Sequence, residues 1–522
     1  MYKLLLCLRY LCTRYIALIC IISVTLGVAT MIVVNSVMAG FTHEMQARIN
    51  GMLGDLVFES RSMDGAENAP AHIAKICEIA GDNIAGISPT VHVPSLMYIE
   101  VNGQLLTKHV TLVGIDEATY ASVSAFGSYL QHPANREQLE FKLRDGGYDV
   151  IDSQIEDSSQ LKERTQMKDA GWIHRKRMAT FKKQRQLQQQ RLQEKNEDLA
   201  PVHNSIVENS ASSAGKTTNP FQNSDNPLQG SDFDPANETH VGIVLGIGTC
   251  GYRTEDGSDR FIALPGDDVR ISFPKASLPP EAINEFYTVV DIYESKMSEY
   301  DSQFVFVPLR SLQKSRGMFD PTKRVGKFTS IQIKLKPGVD ANKVRDQLRD
   351  AFPAQFYLIS TWRDKQGPLL AAVQMETAVL NVLLFMIIAV AGFGILAIFT
   401  MIVVEKTRDI GILKSLGASG PGVMGIFLGY GLSLGIVGAG AGMLLGLVFV
   451  TNINEIADLL GRITGQPVFD PSVYYFYKIP TIISPFTVTW ISLGAILIAV
   501  LASVMPAQRA ARLHPVRALR YE

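Results

Sequence analysis

TAVLNVLLFMIIAVAGFGILAIFTMIVV, Thr377–Val404, contains no charged side chain, and Glu376 and Glu405 close it at either end. As a helix rising 1.5 Å per residue it would run about 42 Å, more than the roughly 30 Å of hydrocarbon in a bilayer. It is long enough to span. Three further runs share the property: Tyr15–Thr42, Ser415–Asn454 and Ile479–Gln508 also lack Asp, Glu, Lys and Arg. Four spans put both termini on one side.

The whole chain has 522 residues, 47% hydrophobic and 19% charged, with 49 Lys+Arg against 50 Asp+Glu. That balance argues against a nucleic-acid binder driven by bulk positive charge. Five Cys and nine His are scattered without paired metal spacing, which leaves zinc ribbons, H-E-x-x-H proteases and disulfide-dense scaffolds without support. Ion-coupled transporters need an ionisable group at membrane depth, and none lies in these runs.

Lys and Arg near the span ends set orientation. Lys3, Arg9 and Arg14 precede the first run; Lys406, Arg408 and Lys414 separate the second and third; Arg509, Arg512, Arg517 and Arg520 follow the fourth. These segments read as cytoplasmic. The 455–478 loop sets Arg462 and Lys478 against Glu455, Asp458 and Asp470, so it reads as external together with His43–Glu376. The small residues around Val37-Met38-Ala39 suit signal cleavage, but the apolar run is about twice a usual signal core, and a retained anchor is expected. The resulting layout is 1–14 cytoplasmic, 15–42 spanning, 43–376 external, 377–404 spanning and 405–420 a cytoplasmic connector. It continues with 421–450 spanning, 451–484 external, 485–506 spanning and 507–522 a cytoplasmic tail.

Gly425, Gly429, Gly438, Gly442 and Gly446 recur along the third run, many of them four apart. Small residues at that spacing let helix backbones approach closely in lipid. Packing within the chain and a dimer face both fit.

In the external segment, Met97–Val101 and Leu105–Leu106 flank Asn102-Gly103, a hairpin signal. Thr329–Lys336 alternates with period two, Asp340 can cap a helix carrying Val344, Leu348 and Phe352, and Phe356–Ile359 returns as a strand. A β-α-β unit is predicted. Residues 152–240 differ: Leu161–Ala200 has eleven Lys/Arg against five Asp/Glu, and 203–240 is rich in Ser, Asn, Asp, Gly and Pro. A solvated helix followed by a largely disordered, low-complexity insert is expected. Anionic lipid or a wall polymer is a second reading for its basic half.

Gly215-Lys216-Thr217 imitates the end of a phosphate-binding loop, but Ser210 stands where its first Gly should be, and Phe328 follows Gly326-Lys327. No nucleotide site is expected, nor any catalytic, cofactor or metal site. Cys77 and Cys250 are the only external cysteines, and a disulfide between them is one reading. Glu299 and Asp301 read as a surface turn.

Glu405-Lys406-Thr407-Arg408-Asp409-Ile410-Gly411-Ile412-Leu413-Lys414-Ser415-Leu416-Gly417-Ala418-Ser419 predicts a short amphipathic helix with Gly417 as its stop, Ser419 and Pro421 then starting the next helix. A plain interfacial connector and a docking element for a partner below the membrane both fit.

This segment resembles the coupling segment of FtsX/MacB-type ABC transporter permeases nearly position for position, and within them the lipoprotein-releasing LolC/LolE branch. Ser36–Phe41 is similar to the end of that family's first span. Tyr293–Ser302, with Met297, Glu299, Tyr300 and Asp301, is similar to its external G-x-[FY]-x-x-G-M-x-E-Y-D-S motif, with Asp291 and Lys296 at the two Gly positions. Phe469–Pro480 and Pro506–Glu522 resemble its last loop and tail. The resemblance covers roughly residues 1–115 and 241–522.

It implies an α+β membrane protein, four transmembrane helices with a large α/β MacB-like periplasmic domain between the first and second, in the bacterial inner membrane. It implies a non-catalytic permease paired with a second copy or a paralogue. Two copies of a cytoplasmic ATPase, which bind the ATP and magnesium, would dock at Glu405, Lys406, Arg408, Asp409, Leu413, Lys414 and Gly417. The work implied is release of lipoprotein to a periplasmic carrier, with MacB-like export of small molecules or peptides and FtsX-like control of cell-wall hydrolases as alternatives.

Overall fold

The computed structural model describes residues 15–62, 64–101, 104–149, 164–197, 233–253, 259–277, 279, 281–464, 478–514 and 516. They divide into two compact units, one formed by the chain up to Ala47 with everything from Arg363 on, the other by Arg48–Trp362.

The first unit holds four long helices, Tyr15–Met52 as far as Ala47, Gly367–Glu405, Gly420–Thr451 and Pro485–Arg512, each apolar enough to cross a membrane. Three of them pass the limits of the uncharged runs, and the third, Gly420–Thr451, falls inside its own. The first continues past Thr42, the second begins before Glu376, and the fourth carries Pro506 inside it and ends at Arg512. Val28, Ile32, Phe399, Leu434 and Ala499 form part of its buried interior. Large side chains such as Phe393 and Leu497 face outward, as expected where lipid is the solvent. The 451–484 stretch is more than a loop, because Ile453–Thr464 is a helix. Ile453, Ile456, Leu460 and Ile463 recur at helical spacing.

The second unit is built on a sheet. In chain order its strands are β1 (Leu56–Ser60), β2 (Ile84–Val101), β3 (Gln104–Ile115), β4 (Val241–Gly246), β5 (Gly251–Arg253), β6 (Asp259–Phe261) and β7 (Asp268–Pro274). There follow β8 (Ala282–Tyr293), β9 (Phe304–Pro308), β10 (Phe319–Asp320), β11 (Val325–Gly326), β12 (Ser330–Leu335) and β13 (Tyr357–Thr361). Nine of them form one mixed sheet, β13-β1-β12-β2-β3-β9-β4-β8-β7, and the pairs β5-β6 and β10-β11 stand apart. β2 and β3 are the predicted hairpin, with Val101 opposite Gln104.

The β-α-β unit is present in split form. Asp340 accepts a hydrogen bond from Asn342 N and starts the helix Ala341–Ala351, which buries Val344 and Leu348; Phe352 is buried just beyond it. β12 and β13 are both antiparallel to β1, which lies between them. A strand from the start of the unit thus completes a motif near its end.

The helix expected in the first half of the 152–240 stretch is present as Trp172–Glu197, but the residues at its start are not solvated: they are tied into the sheet unit. Arg164 is buried and pairs with Glu294 at 2.7 Å; Arg175 is buried, pairs with Asp268 at 2.7 Å, and donates to the Glu238 and Gly266 carbonyls. These arginines replace the apolar stripe that a sequence reading looks for. Past them Lys182 and Lys183 are exposed, as a solvated helix requires. Residues 150–163 and 198–232, with Ser210 and Gly215–Thr217, lie outside the described residues. The Cys77–Cys250 disulfide is absent: Cys77 is exposed, Cys250 is buried, and both are free.

Candidate functional site

Glu405 ends the second long helix, Lys406 breaks it, and Thr407–Ser415 forms a short helix. Lys406 Nζ lies 2.6 Å from Asp409 Oδ2. The helix ends as predicted at Gly417, whose φ is +96°. Gly417 N donates to the Lys414 carbonyl at 3.1 Å and Ala418 N to that of Leu413 at 3.0 Å. That crossed pair is a Schellman stop. Ser419 then caps the next helix by accepting from Gly422 N, with Pro421 in its first turn.

Ile410 is buried, while Ile412 and Leu416 are 44% and 81% exposed. On a helix their spacing sets them opposite Ile410. Arg408 and Asp409 are exposed, and Leu413 and Lys414 are half-buried. Lys414 is turned inward. Its Nζ donates to the carbonyls of Ala511 and, at 2.7 Å, Leu513, at the end of the fourth long helix, where a cation complements the negative end of the dipole.

The glycines of the third long helix serve two faces. A Cβ on Gly438 would stand 2.9 Å from Val24 Cβ, one on Gly442 would stand 2.7 Å from Thr25 O, and one on Gly446 would stand 3.2 Å from Ala29 Cα, all on the first helix. Gly431 and Gly435 meet Ser503 and Ala499 of the fourth helix instead. Among the described residues a Cβ on Gly425 would meet nothing within 4 Å. Gly429 is half-buried.

The external motif is folded inward. Tyr293 Oη donates to the Tyr300 carbonyl at 2.7 Å, holding the short helix Ser298–Gln303 against β8. Glu299 is exposed and Met297 half-buried, but Tyr300 and Asp301 are buried. The surface-turn expectation therefore fails at Asp301. Its Oδ1 accepts from Ser295 N at 2.9 Å and Ser295 Oγ at 2.7 Å. Among the described residues Oδ2 has no hydrogen-bond partner. Burial pushes this carboxyl up to about 7 against the pull of those donors, and burial likewise lifts Asp291 to about 6. Lys296, where the motif has Gly, sits at φ +60°, a conformation glycine adopts without cost. Asp291, at the other Gly position, accepts from Asn135 Nδ2 at 2.7 Å. Among the described residues no cluster of His, Cys, Asp and Glu could hold a metal.

At the end of the bundle remote from Thr407–Ser415, a cavity of about 450 Å³ opens between the first, second and fourth long helices. Its lining includes the apolar Ile32, Val373, Val488 and Ile491 and the polar Asn35, Ser36, Thr42 and Thr377.

A family model described as FtsX-like permease C-terminal matches residues 381–515, and another, MacB-like periplasmic core domain, matches 143–351. The chain resembles FtsX/MacB-type ABC transporter permeases. The lipoprotein-releasing system transmembrane protein LolC of Xylella fastidiosa (strain 9a5c) is 32% identical over 238 residues, 45% of this chain and 55% of the relative. LolC of Neisseria meningitidis serogroup B is 26% identical over 288 residues, 54% and 65% respectively. LolE of Haemophilus influenzae is 26% identical over 221 residues, 42% and 52%. The chain thus spans about half to two-thirds of the length of the curated relatives it matches.

The MacB-like match takes in the whole of the 152–240 insert, which lies outside the motif resemblance. The FtsX-like match contains the whole connecting helix. There the sequence reading missed the exposure of Ile412 and Leu416, although their four-residue spacing, out of phase with Ile410, was the signal. Phe469–Pro471 and Ala518–Glu522 lie outside the described residues.

Proposed function

We infer that this chain is the permease subunit of a LolC/LolE-type ABC transporter in a bacterial inner membrane, and that its work is the release of lipoproteins. A separate cytoplasmic ATPase, in two copies, binds the ATP and magnesium and docks on Thr407–Ser415. The permease pairs with a second copy or a paralogue, and the Arg48–Trp362 unit works in the periplasm, handing cargo to a soluble carrier.

The observation that carries this reading is the connecting helix, closed at one end by Gly417 and tied by Lys414 to the fourth long helix, with Arg408, Ile412 and Leu416 exposed on it. An apolar pair at helical spacing, flanked by charge and backed by a fixed support, suits a partner groove. A docking element so mounted transmits displacement to the long helices. The first and second of these have 38 and 39 residues, about 57 Å each, so motion at one end is carried well beyond a bilayer's hydrocarbon. The cavity by Ile32, Val373 and Ile491 supplies an apolar recess of the kind an acyl chain requires.

Ile412→Asp tests the docking. It should abolish co-purification of the ATPase while membrane insertion and thermal stability stay unchanged, because the side chain is not part of the bundle interior. Retention of the ATPase by the Ile412→Asp, Leu416→Asp double variant would refute the assignment.

A further inference from the structure

The helix Ile453–Thr464 has twelve residues, about 18 Å, too short to cross a bilayer. Its apolar side chains occupy one broad face. At its start that face is covered by the chain: Ile453 is buried and Ile456 half-buried. Further along it is bare, with Leu459 59% and Ile463 73% exposed. The opposite face carries Glu455, Asp458 and Arg462.

Chain connectivity fixes where this bare face lies. The third membrane-crossing helix ends at Thr451, and Ile453 begins the short helix after a single intervening residue, Asn452. Asn454 then holds the helix down, its Oδ1 accepting from Ile479 N at 2.7 Å. The same incoming segment is seated on the first long helix, where Ile482 N donates to the Ser36 carbonyl at 3.0 Å and Gly40 leaves room for Pro480. The fourth membrane-crossing helix starts just beyond, at Pro485, and presents exposed Phe486 and Trp490, stacked 6.5 Å apart, in its first turns. A Trp near a span end marks the level of the lipid headgroups. Both attachments of the short helix are therefore at that level.

We propose that Ile453–Thr464 is an interfacial helix, with Leu459, Leu460 and Ile463 immersed at the boundary of headgroups and acyl chains and Glu455, Asp458 and Arg462 turned to water. Its occupant is the bilayer surface. The polar face carries two acids and one base, so apolar burial drives the contact and no anionic lipid is needed. Because Asn454 joins it to the segment that rests on Ser36 and Gly40, the helix holds the first and fourth long helices in register with the membrane plane. The inference requires only that the four long helices cross a bilayer; it is independent of whether an ATPase docks on Thr407–Ser415.

Benzoylphenylalanine placed at Ile463, or at Asp458 as the control, in the full chain reconstituted into phosphatidylcholine nanodiscs, tests it. On irradiation, position 463 should yield lipid adducts by mass spectrometry in about tenfold excess over position 458, with the same yield in phosphatidylglycerol. Leu459 should behave as Ile463 does. Adducts at 463 to protein alone would mean that a second chain covers the face; absence of any adduct would mean that it faces water; a yield that requires phosphatidylglycerol would mean that charge holds it. Each of these results would overturn the proposal.

Discussion

Asp301 illustrates what burial does to a single side chain. Its folded-state pKa, about 7, stands above the ordinary 3.8, so the folded chain holds this proton more tightly than the unfolded chain does. Stability conferred by the neutral form is fully present below the ordinary value and is lost as pH rises to about 7; Asp291, raised to about 6, acts in the same sense. Asp301→Asn should flatten the pH dependence of hydrogen exchange in residues 289–306 of the intact chain, by up to roughly 4 kcal/mol between pH 4 and 8. An unchanged pH profile would show that Asp301 is not the source. Two glycines make a different contrast. At Gly40 the constraint is space, because a Cβ would meet the Pro480 carbonyl; at Gly440 a Cβ would meet nothing within 4 Å. Gly40→Ala should therefore cost about 1–3 kcal/mol, read as a fall in Tm, and Gly440→Ala almost nothing.

Among elements, the connecting helix was the most legible. Gly417 needs its φ of +96° and has nothing within 4 Å of a Cβ, so Gly417→Ala carries a purely conformational penalty, about 1–2 kcal/mol. Lys414→Met removes the tie to Ala511 and Leu513 and leaves those carbonyls without their cation. Both variants should raise hydrogen-exchange rates over residues 407–418, and Lys414→Met alone should also raise them over 507–513. The spacing of Ile410, Ile412 and Leu416 showed that the helix had two apolar sides; which one faced the bundle depended on where the neighbouring helices ran. The helix Trp172–Glu197 was harder to read. It is anchored by Arg164 and Arg175 through ion pairs to Glu294 and Asp268, distant in sequence, and a basic run carries no sign of which of its charges will be buried.

For the whole molecule, the proposed function predicts that depletion shifts acylated lipoproteins from outer to inner membrane fractions, and that the purified chain alone hydrolyses no ATP. Unaltered lipoprotein distribution would favour a different cargo; hydrolysis by the chain alone would remove the permease reading. The sequence by itself determined the four membrane-crossing segments, the Gly417 stop, the β2-β3 hairpin and the Asp340-capped helix, because each follows from hydrophobic length or from contacts a few residues apart. Only the tertiary structure decided that β1 lies between β12 and β13, that Asp301 is buried, that Cys77 and Cys250 stay apart, and that Gly438, Gly442 and Gly446 meet the first long helix while Gly431 and Gly435 meet the fourth. These depend on which remote segments come to adjoin one another, and a local pattern of residues holds no record of its distant neighbours.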